Sequence, residues 1–138
     1  MPFVLQASPT YWWPVQFEMP IDGGKYRRET LDLEFRRLPQ SRVEKIMAAE
    51  VELHHAVRTG ADNVPELMTI VRGHAAEVVC GWRGLLESDG GPDVPFSETS
   101  LQVFLDLPGV AQIILSVYSD SLPKAKEKNS RAPRTSGS

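Results

Sequence analysis

The sequence predicts an α+β fold, mainly α-helical, with an N-terminal β-hairpin packed on about four helices. Three observations carry that prediction. Apolar and polar residues alternate with a period of two between residues 11 and 36, around an Asp-Gly-Gly turn. From Pro39 onward the apolar residues recur three and four apart, the period of a helix. The chain has 138 residues, 41% hydrophobic and 24% charged, which suits one ordinary globular domain with its own core.

The first strand reads from Tyr11 to Met19. Trp13, Val15, Phe17 and Met19 point one way, and Trp12, Gln16 and Glu18 the other. Pro14 lacks a ladder donor, so this strand belongs at an edge or at a bulge. Asp22-Gly23-Gly24 supplies the turn. The second strand sets Leu31, Leu33 and Phe35 against Asp32, Glu34 and Arg36. An isolated hairpin is marginal in water, so its apolar face must pack on something.

Four helices follow. The first carries Val43, Ile46, Met47, Leu53 and Val57 and stops at Gly60. The second is expected to open on an Asn63–Glu66 capping box and to run through Trp82, Leu85 and Leu86. Gly73, Gly81 and Gly84 lie within it, each costing about 1 kcal/mol relative to alanine, which suggests close packing or a weakened second half. Ser97 is the expected N-cap of a short third helix with Leu101, Phe104 and Leu105. Leu107-Pro108-Gly109 breaks it. The last helix carries Val110, Ile113, Ile114, Val117 and Tyr118, with Pro123 ending it.

The domain organisation is a leader over 1–10, one globular domain over 11–122 and a disordered basic tail over 123–138. The hairpin occupies 11–38 and the helical part 39–122. In the leader, Phe3, Val4 and Leu5 leave room for a short edge strand. The tail has five basic residues, one acidic residue and almost no large apolar ones.

Charge and composition exclude several function classes. Net charge is −3, without the basic excess of a general nucleic-acid binder, so only the tail invites nucleic acid. No run approaches the roughly 18 apolar residues of a membrane helix, and no secretory signal opens the chain. One cysteine, Cys80, rules out an intramolecular disulfide and fits a reducing compartment.

The chemistry-bearing side chains are sparse. Glu50 and His54 stand four apart on one helix face with His55 beside them, the start of a metal site. A zinc site needs a third ligand, and the chain offers only His74 and Cys80, with no HExxH and no paired CxxC. The expectation is therefore no metal, no cofactor and no catalytic residue. Cys80 reads as a buried, inert thiol on the second helix. The two Asp-Gly-Gly segments read as turns. Trp12 and Trp13 are adjacent, so one faces the core and the other faces solvent unless a partner covers it. Arg27, Arg28, Arg36 and Arg37 flank a strand that also carries Glu29, Asp32 and Glu34, a mixed face suited to solvent or self-pairing.

Trp82, then Leu85-Leu86-Glu87-Ser88-Asp89-Gly90-Gly91, then Val94-Pro95-Phe96-Ser97-Glu98 stand in order. A short helix, a proline break, an apolar helix to Tyr118 and Lys128-Asn129 complete the pattern. Together, over about residues 78–129, they resemble the C-terminal half of the tail assembly chaperones of siphoviruses. Trp13-Pro14-Val15 and the arginine-rich second strand are compatible with that family.

The resemblance implies a non-enzymatic protein of the host cytoplasm, absent from the mature virion. It would bind the tape measure protein transiently and keep it soluble during tail morphogenesis. A longer form, made by ribosomal frameshifting near Lys128-Asn129, would contact the tail tube protein. A tape measure segment is a long apolar helix, whose exposed surface costs about 25 cal/mol per Å² in water. Many weak linked copies shield such a client better than one tight copy, so self-association into an open spiral or a ring is expected. The partner-binding candidates are Trp12, Trp13, Arg28, Arg36, Trp82 and Phe96. Trp82 on its stripe and Phe96 before the Ser97 cap also fit purely structural roles. Three alternatives stay open: a permanent minor tail or connector protein, a small metal-dependent enzyme built on Glu50, His54 and His55, and a small regulatory or nucleic-acid-binding protein acting through residues 124–138.

Overall fold

A computed structural model describes Leu5 and residues 8–123. Most of the leader and nearly all of the basic tail lie outside those residues. The elements run β1 (Thr10–Ile21), β2 (Lys25–Arg36), α1 (Gln40–Thr59), α2 (Val64–Val78), β3 (Val79–Arg83), α3 (Glu98–Leu105) and α4 (Val110–Ser121). The α+β architecture with an N-terminal hairpin and four helices is as the sequence predicts. The sheet, however, has three antiparallel strands in the order β1-β2-β3.

The third strand corrects the expected long helix. α2 ends at Val78, and Val79 to Arg83 pair with β2, Trp82 opposite Leu33 and Gly81 opposite Glu34. The local chemistry explains this. Val78-Val79 are β-branched, and glycines at 81 and 84 weaken a helix there. Gly84 takes φ +92°, a left-handed conformation that ends the strand in a turn. A Cβ at Gly81 would stand 2.6 Å from a carboxylate oxygen of Glu34 and 3.3 Å from its Cβ, so a larger residue there makes the Glu34 side chain shift. Pairing β3 with the second edge of β2 gives the hairpin partners that a lone pair of strands lacks.

The β1–β2 register matches Trp13 with Leu33 and Val15 with Leu31, closing at Ile21 with Lys25. The turn glycines Gly23 and Gly24 both have positive φ, as the Asp-Gly-Gly signal predicts. β1 is an edge strand, where Pro14 was expected. The Arg37 amide donates to the Pro9 carbonyl at 2.9 Å, which continues the ladder one pair beyond Thr10–Arg36. Odd-numbered residues of β1 therefore bond to β2, and even-numbered ones point their backbone at the free edge. Pro14 and Pro20 are both even, so neither breaks a ladder bond and both remove donors from the edge.

Helices cover one face of the sheet. Val15, Phe17, Leu31, Leu33 and Phe35 are buried on that face. They meet Val43, Ile46 and Leu53 of α1, Leu67, Val71 and Ala75 of α2, and Ile114, Leu115 and Tyr118 of α4 in one core. Edge-on aromatic contacts join the layers: Phe35 to Tyr118 at 5.2 Å, and Phe17 to Phe104 at 5.6 Å. Val57, expected on the α1 stripe, is exposed, and Ala49 and Ala56 complete that stripe instead. Gly60 caps α1 in the left-handed conformation, as expected.

The expected α2 capping box does not form. Asn63 has φ −96° and ψ 14°, not the extended backbone of a side-chain cap, and makes no side-chain cap bond. Pro65 in the first turn also removes one of the amides such a cap serves. The Ser97 cap does form. Its Oγ accepts from the Ser100 amide at 3.1 Å, while the Ser97 amide donates to Ser100 Oγ at 2.9 Å. Gly109, at φ +80°, opens α4 after the proline break, and α3 and α4 meet at 100°. No single helix among the described residues is long and apolar enough to cross a membrane. The bent α3–α4 pair passes that test by composition alone, and its Leu101, Phe104, Val110 and Ile114 are buried in the core.

Candidate functional site

Between Trp82 and Ser97 the chain builds a compact corner. Residues 85–94 fold back on themselves, with the Val94 amide donating to the Leu85 carbonyl at 2.7 Å and the Glu87 amide to the Pro92 carbonyl at 3.0 Å. Asp89-Gly90-Gly91 turns the loop, with Gly90 at φ +70°. Trp82 anchors it: its indole N–H donates to the Val94 carbonyl at 2.7 Å, and its ring meets Phe96 at 4.8 Å and Phe104 at 5.6 Å. The expected core position of Trp82 is thus observed, on a strand rather than a helix. Phe96 is half-buried against it. Trp82, the loop that follows it and Val94 to Phe96 therefore sit together as one physical unit.

That corner forms one wall of an apolar groove of about 320 Å³. Phe17, Met19 and Leu31 of the hairpin line one side, Leu85 and Leu86 of the loop another, and Phe104, Leu107 and Val110 the floor and far end. Met19, Leu86 and Leu107 are each about 40% exposed and line the same groove. Four charged residues also line it: Arg27, Glu29, Glu87 and Asp89. Arg27 ion-pairs with Glu29, and with Asp89 at 3.5 Å. Glu29 first, then Asp89, raise the Arg27 pKa and hold its charge firmly. Leu107 also borders a second hollow of about 270 Å³, lined by Leu53, Met68, Val71 and Leu105.

Beyond the helical layer the hairpin continues as an arm. Every residue from Glu18 to Thr30 is exposed, including Met19, Ile21 and Tyr26. Arg28 lies on the uncovered face of the arm and donates to Glu18 at 3.2 Å. On that same uncovered face nearer the core, Trp12 stacks under the Arg83 guanidinium at 3.7 Å and reaches over Gly81. Trp13 faces the helix side and borders a hollow at the C-terminal end of α4 with Tyr11, Leu38 and Leu122. Trp12 is 40% exposed and Trp13 39%, so neither is the core tryptophan that adjacency in a strand suggested. β1 is the edge strand, so the large indole of Trp13 has a neighbouring strand on one side only.

Arg36 serves the fold. Its guanidinium donates to the Glu77 carbonyl in the last turn of α2 at 2.8 Å, and its own carbonyl accepts from the Tyr118 hydroxyl at 2.8 Å. The Glu77 carboxylate takes two bonds from Arg42, at 3.0 and 2.5 Å, which hold its pKa below the usual carboxylate range. This cluster clamps β2, α1, α2 and α4 together. The candidates thus separate: Trp82 and Phe96 share one corner, Trp12 and Arg28 the uncovered sheet face, and Trp13 the far end.

Glu50, His54 and His55 line a shallow surface hollow on α1 with Val51 and Arg58. Burial raises the Glu50 pKa, and the nearby Asp120 carboxylate adds to that shift. Among the described residues no group of three His, Cys, Asp or Glu side chains could hold a metal ion. Cys80 is half-buried on β3 rather than on a helix. Burial first, then Glu34, raises its pKa, and its thiol meets the Glu34 carbonyl at 3.6 Å.

Sequence reasoning missed Arg83 as the partner of Trp12, and Met19, Leu86 and Leu107 as groove residues. Reading Val78 to Gly84 as β-branched residues punctuated by glycine would have released Leu86 from the helix stripe. Comparison of the chain with models of protein families, with curated proteins and with solved structures gives no match.

Proposed function

We propose that this protein is a phage tail assembly chaperone, a non-enzymatic factor that binds the tape measure protein transiently and keeps it soluble until the tail tube grows around it. One observation carries the reading: an open apolar groove set between a projecting arm and the Trp82–Ser97 corner. Covering a groove of this kind with an apolar helix removes both surfaces from water, worth about 25 cal/mol per Å². A half-open groove gives up its client more readily than a closed cavity, which suits transient binding. The resemblance supplies the client's identity, and the same corner carries most of the residues that make the resemblance.

The arm supports the second half of the reading, self-association along a long client. Its apolar side chains project past the helical layer, while the prolines of β1 discourage indiscriminate strand addition. Contact through side chains of the arm leaves each copy separable. The test is co-expression with a long helical tape measure protein encoded beside it. The expected result is a client that moves from the insoluble to the soluble fraction with this chain bound. An insoluble client, or this chain found as a stoichiometric part of purified virions, overturns the proposal.

A further inference from the structure

From Gly84 to Pro123 the chain carries six acidic side chains, Glu87, Asp89, Asp93, Glu98, Asp106 and Asp120, and no lysine, arginine or histidine. That stretch supplies the loop wall, the floor and the far end of the groove. Asp89 pairs with Arg27, and Asp106 with Arg72 at 3.3 Å. At the groove itself Glu29, Glu87 and Asp89 still face a single cation, Arg27. Three carboxylates against one guanidinium leave the border of the apolar surface net negative.

We infer that the groove docks a basic amphipathic helix of the client, its apolar stripe against Met19, Leu86, Phe104 and Leu107, its flanking lysines or arginines against Glu29, Glu87 and Asp89. This deepens the chaperone reading and rests on it. The shape favours a helix. Leu107 stands between the 320 Å³ groove and the 270 Å³ hollow that reaches Met68, so exposed apolar surface continues from the hairpin to α2. A side-chain stripe with repeats three and four apart matches such a track, whereas an extended peptide sends alternate side chains to opposite sides. The acidic border sets the sign of the partner. A client helix with flanking glutamates would meet like charges, and the rim would reject it.

This chain's own tail, beyond Pro123, is the competing occupant, since it carries five basic residues. It lacks the large apolar side chains that the groove floor calls for, which is why the partner helix is preferred.

The test titrates the full-length chain with two synthetic peptides of about 18 residues, roughly five helical turns. Both carry the same leucine stripe; one is flanked by lysines, the other by glutamates. The expected result is binding of the lysine peptide about tenfold or more tighter than the glutamate peptide, weakening as salt rises. The double variant Leu86→Ser/Leu107→Ser removes apolar contact without altering charge. Both side chains are partly exposed, and the variant is checked by its thermal melt. It should lose about tenfold in affinity or more. Val51→Ser, exposed on α1 and outside the groove, should bind as the wild type does. Equal affinity for the two peptides overturns the inference, and so does a double variant that binds normally. A truncation after Pro123 that tightens binding about tenfold overturns it in favour of the tail as the natural occupant. Co-expression separates the two claims. A double variant that still solubilises the tape measure protein sinks the groove assignment and leaves the chaperone reading. A wild-type chain that does not solubilise it sinks the reading itself.

Discussion

The two halves of the hairpin obey the same sequence rule and meet different fates. In β1, Val15 and Phe17 are buried, and the alternation continues unchanged through Met19 and Ile21, which are exposed. In β2, Leu31, Leu33 and Phe35 are buried, whereas the turn-proximal residues from Lys25 to Thr30 are exposed. The strands do not change; the helical layer beneath them ends. Period two therefore says which face a side chain occupies, and only the reach of the neighbouring helices says whether that face is covered. The proximal half is core, and the distal half is surface with core-like composition, which is how a fold presents apolar residues to a partner.

Substitutions in the proximal half should break this comparison most strongly. Phe35 is fully buried and touches both Tyr11 and Tyr118 edge-on. Phe35→Ala should cost about 3–5 kcal/mol through lost burial and the cavity left behind, measured by urea or thermal unfolding. A cost under about 1 kcal/mol would mean that the aromatic contacts between sheet and helices do not hold the layers together.

The corner that walls the groove should be next. Trp82→Phe keeps a ring against Phe96 and Phe104 but removes the indole donor from the Val94 carbonyl. The expected cost is about 1–3 kcal/mol, from a carbonyl left without its partner. Hydrogen exchange should localise the loosening to residues 85–94. A loss spread evenly over the sheet would show that Trp82 acts as general core filling instead.

Two carboxylates give opposite and smaller signs. The folded pKa of Glu77 is lowered, chiefly by its bonds from Arg42, so its contribution is present above the unfolded carboxylate pKa and is lost as pH falls through the folded value. The folded pKa of Glu50 is raised, chiefly by burial and then by Asp120, so its contribution is present at acid pH and is lost as pH rises through the folded value. Glu77→Gln should therefore destabilise at neutral pH and soften the fall in stability on acidification. Glu50→Gln should stabilise at neutral pH and steepen that fall. Unfolding curves collected between about pH 3 and pH 7 read both signs. Matching signs for the two variants would contradict the assignment.

Much of this fold was legible because local and global preferences agree. The Asp22-Gly23-Gly24 turn, the Gly60 stop, the Ser97 cap and the Pro108-Gly109 break each combine residue chemistry with the backbone it favours. The strand at Val79–Arg83 was not legible from periodicity, because Val78, Val79, Trp82, Leu85 and Leu86 fit a helical stripe as well as they fit a strand and its turn. What decided it was a long-range fact, the unfilled edge of β2, together with the left-handed Gly84 that ends the strand. The groove was less legible still. Leu86 reads as part of a helical stripe and Leu107 as part of a proline break, and both become groove walls only because the loop and the helix corner hold them at the rim. The charge of the border, by contrast, is written plainly in the chain from Gly84 to Pro123.

The arm should give the smallest change in stability and, under the proposed function, the largest change in association. Ile21 and Tyr26 are 46% and 65% exposed, so Ile21→Ser and Tyr26→Ser bury no polar group and open no cavity. Each should alter unfolding free energy by no more than about 0.5 kcal/mol, the usual range for surface sites. If the arm joins copies along a client, the double variant should sediment as a smaller species than the wild type at equal concentration, in analytical ultracentrifugation, with an unchanged melting curve. Unchanged sedimentation would leave the arm's apolar residues without a role in self-association. A large drop in melting temperature would show instead that the distal half is packed like the proximal one. The two readouts must separate, because a surface kept for a partner costs the free chain nothing to lose.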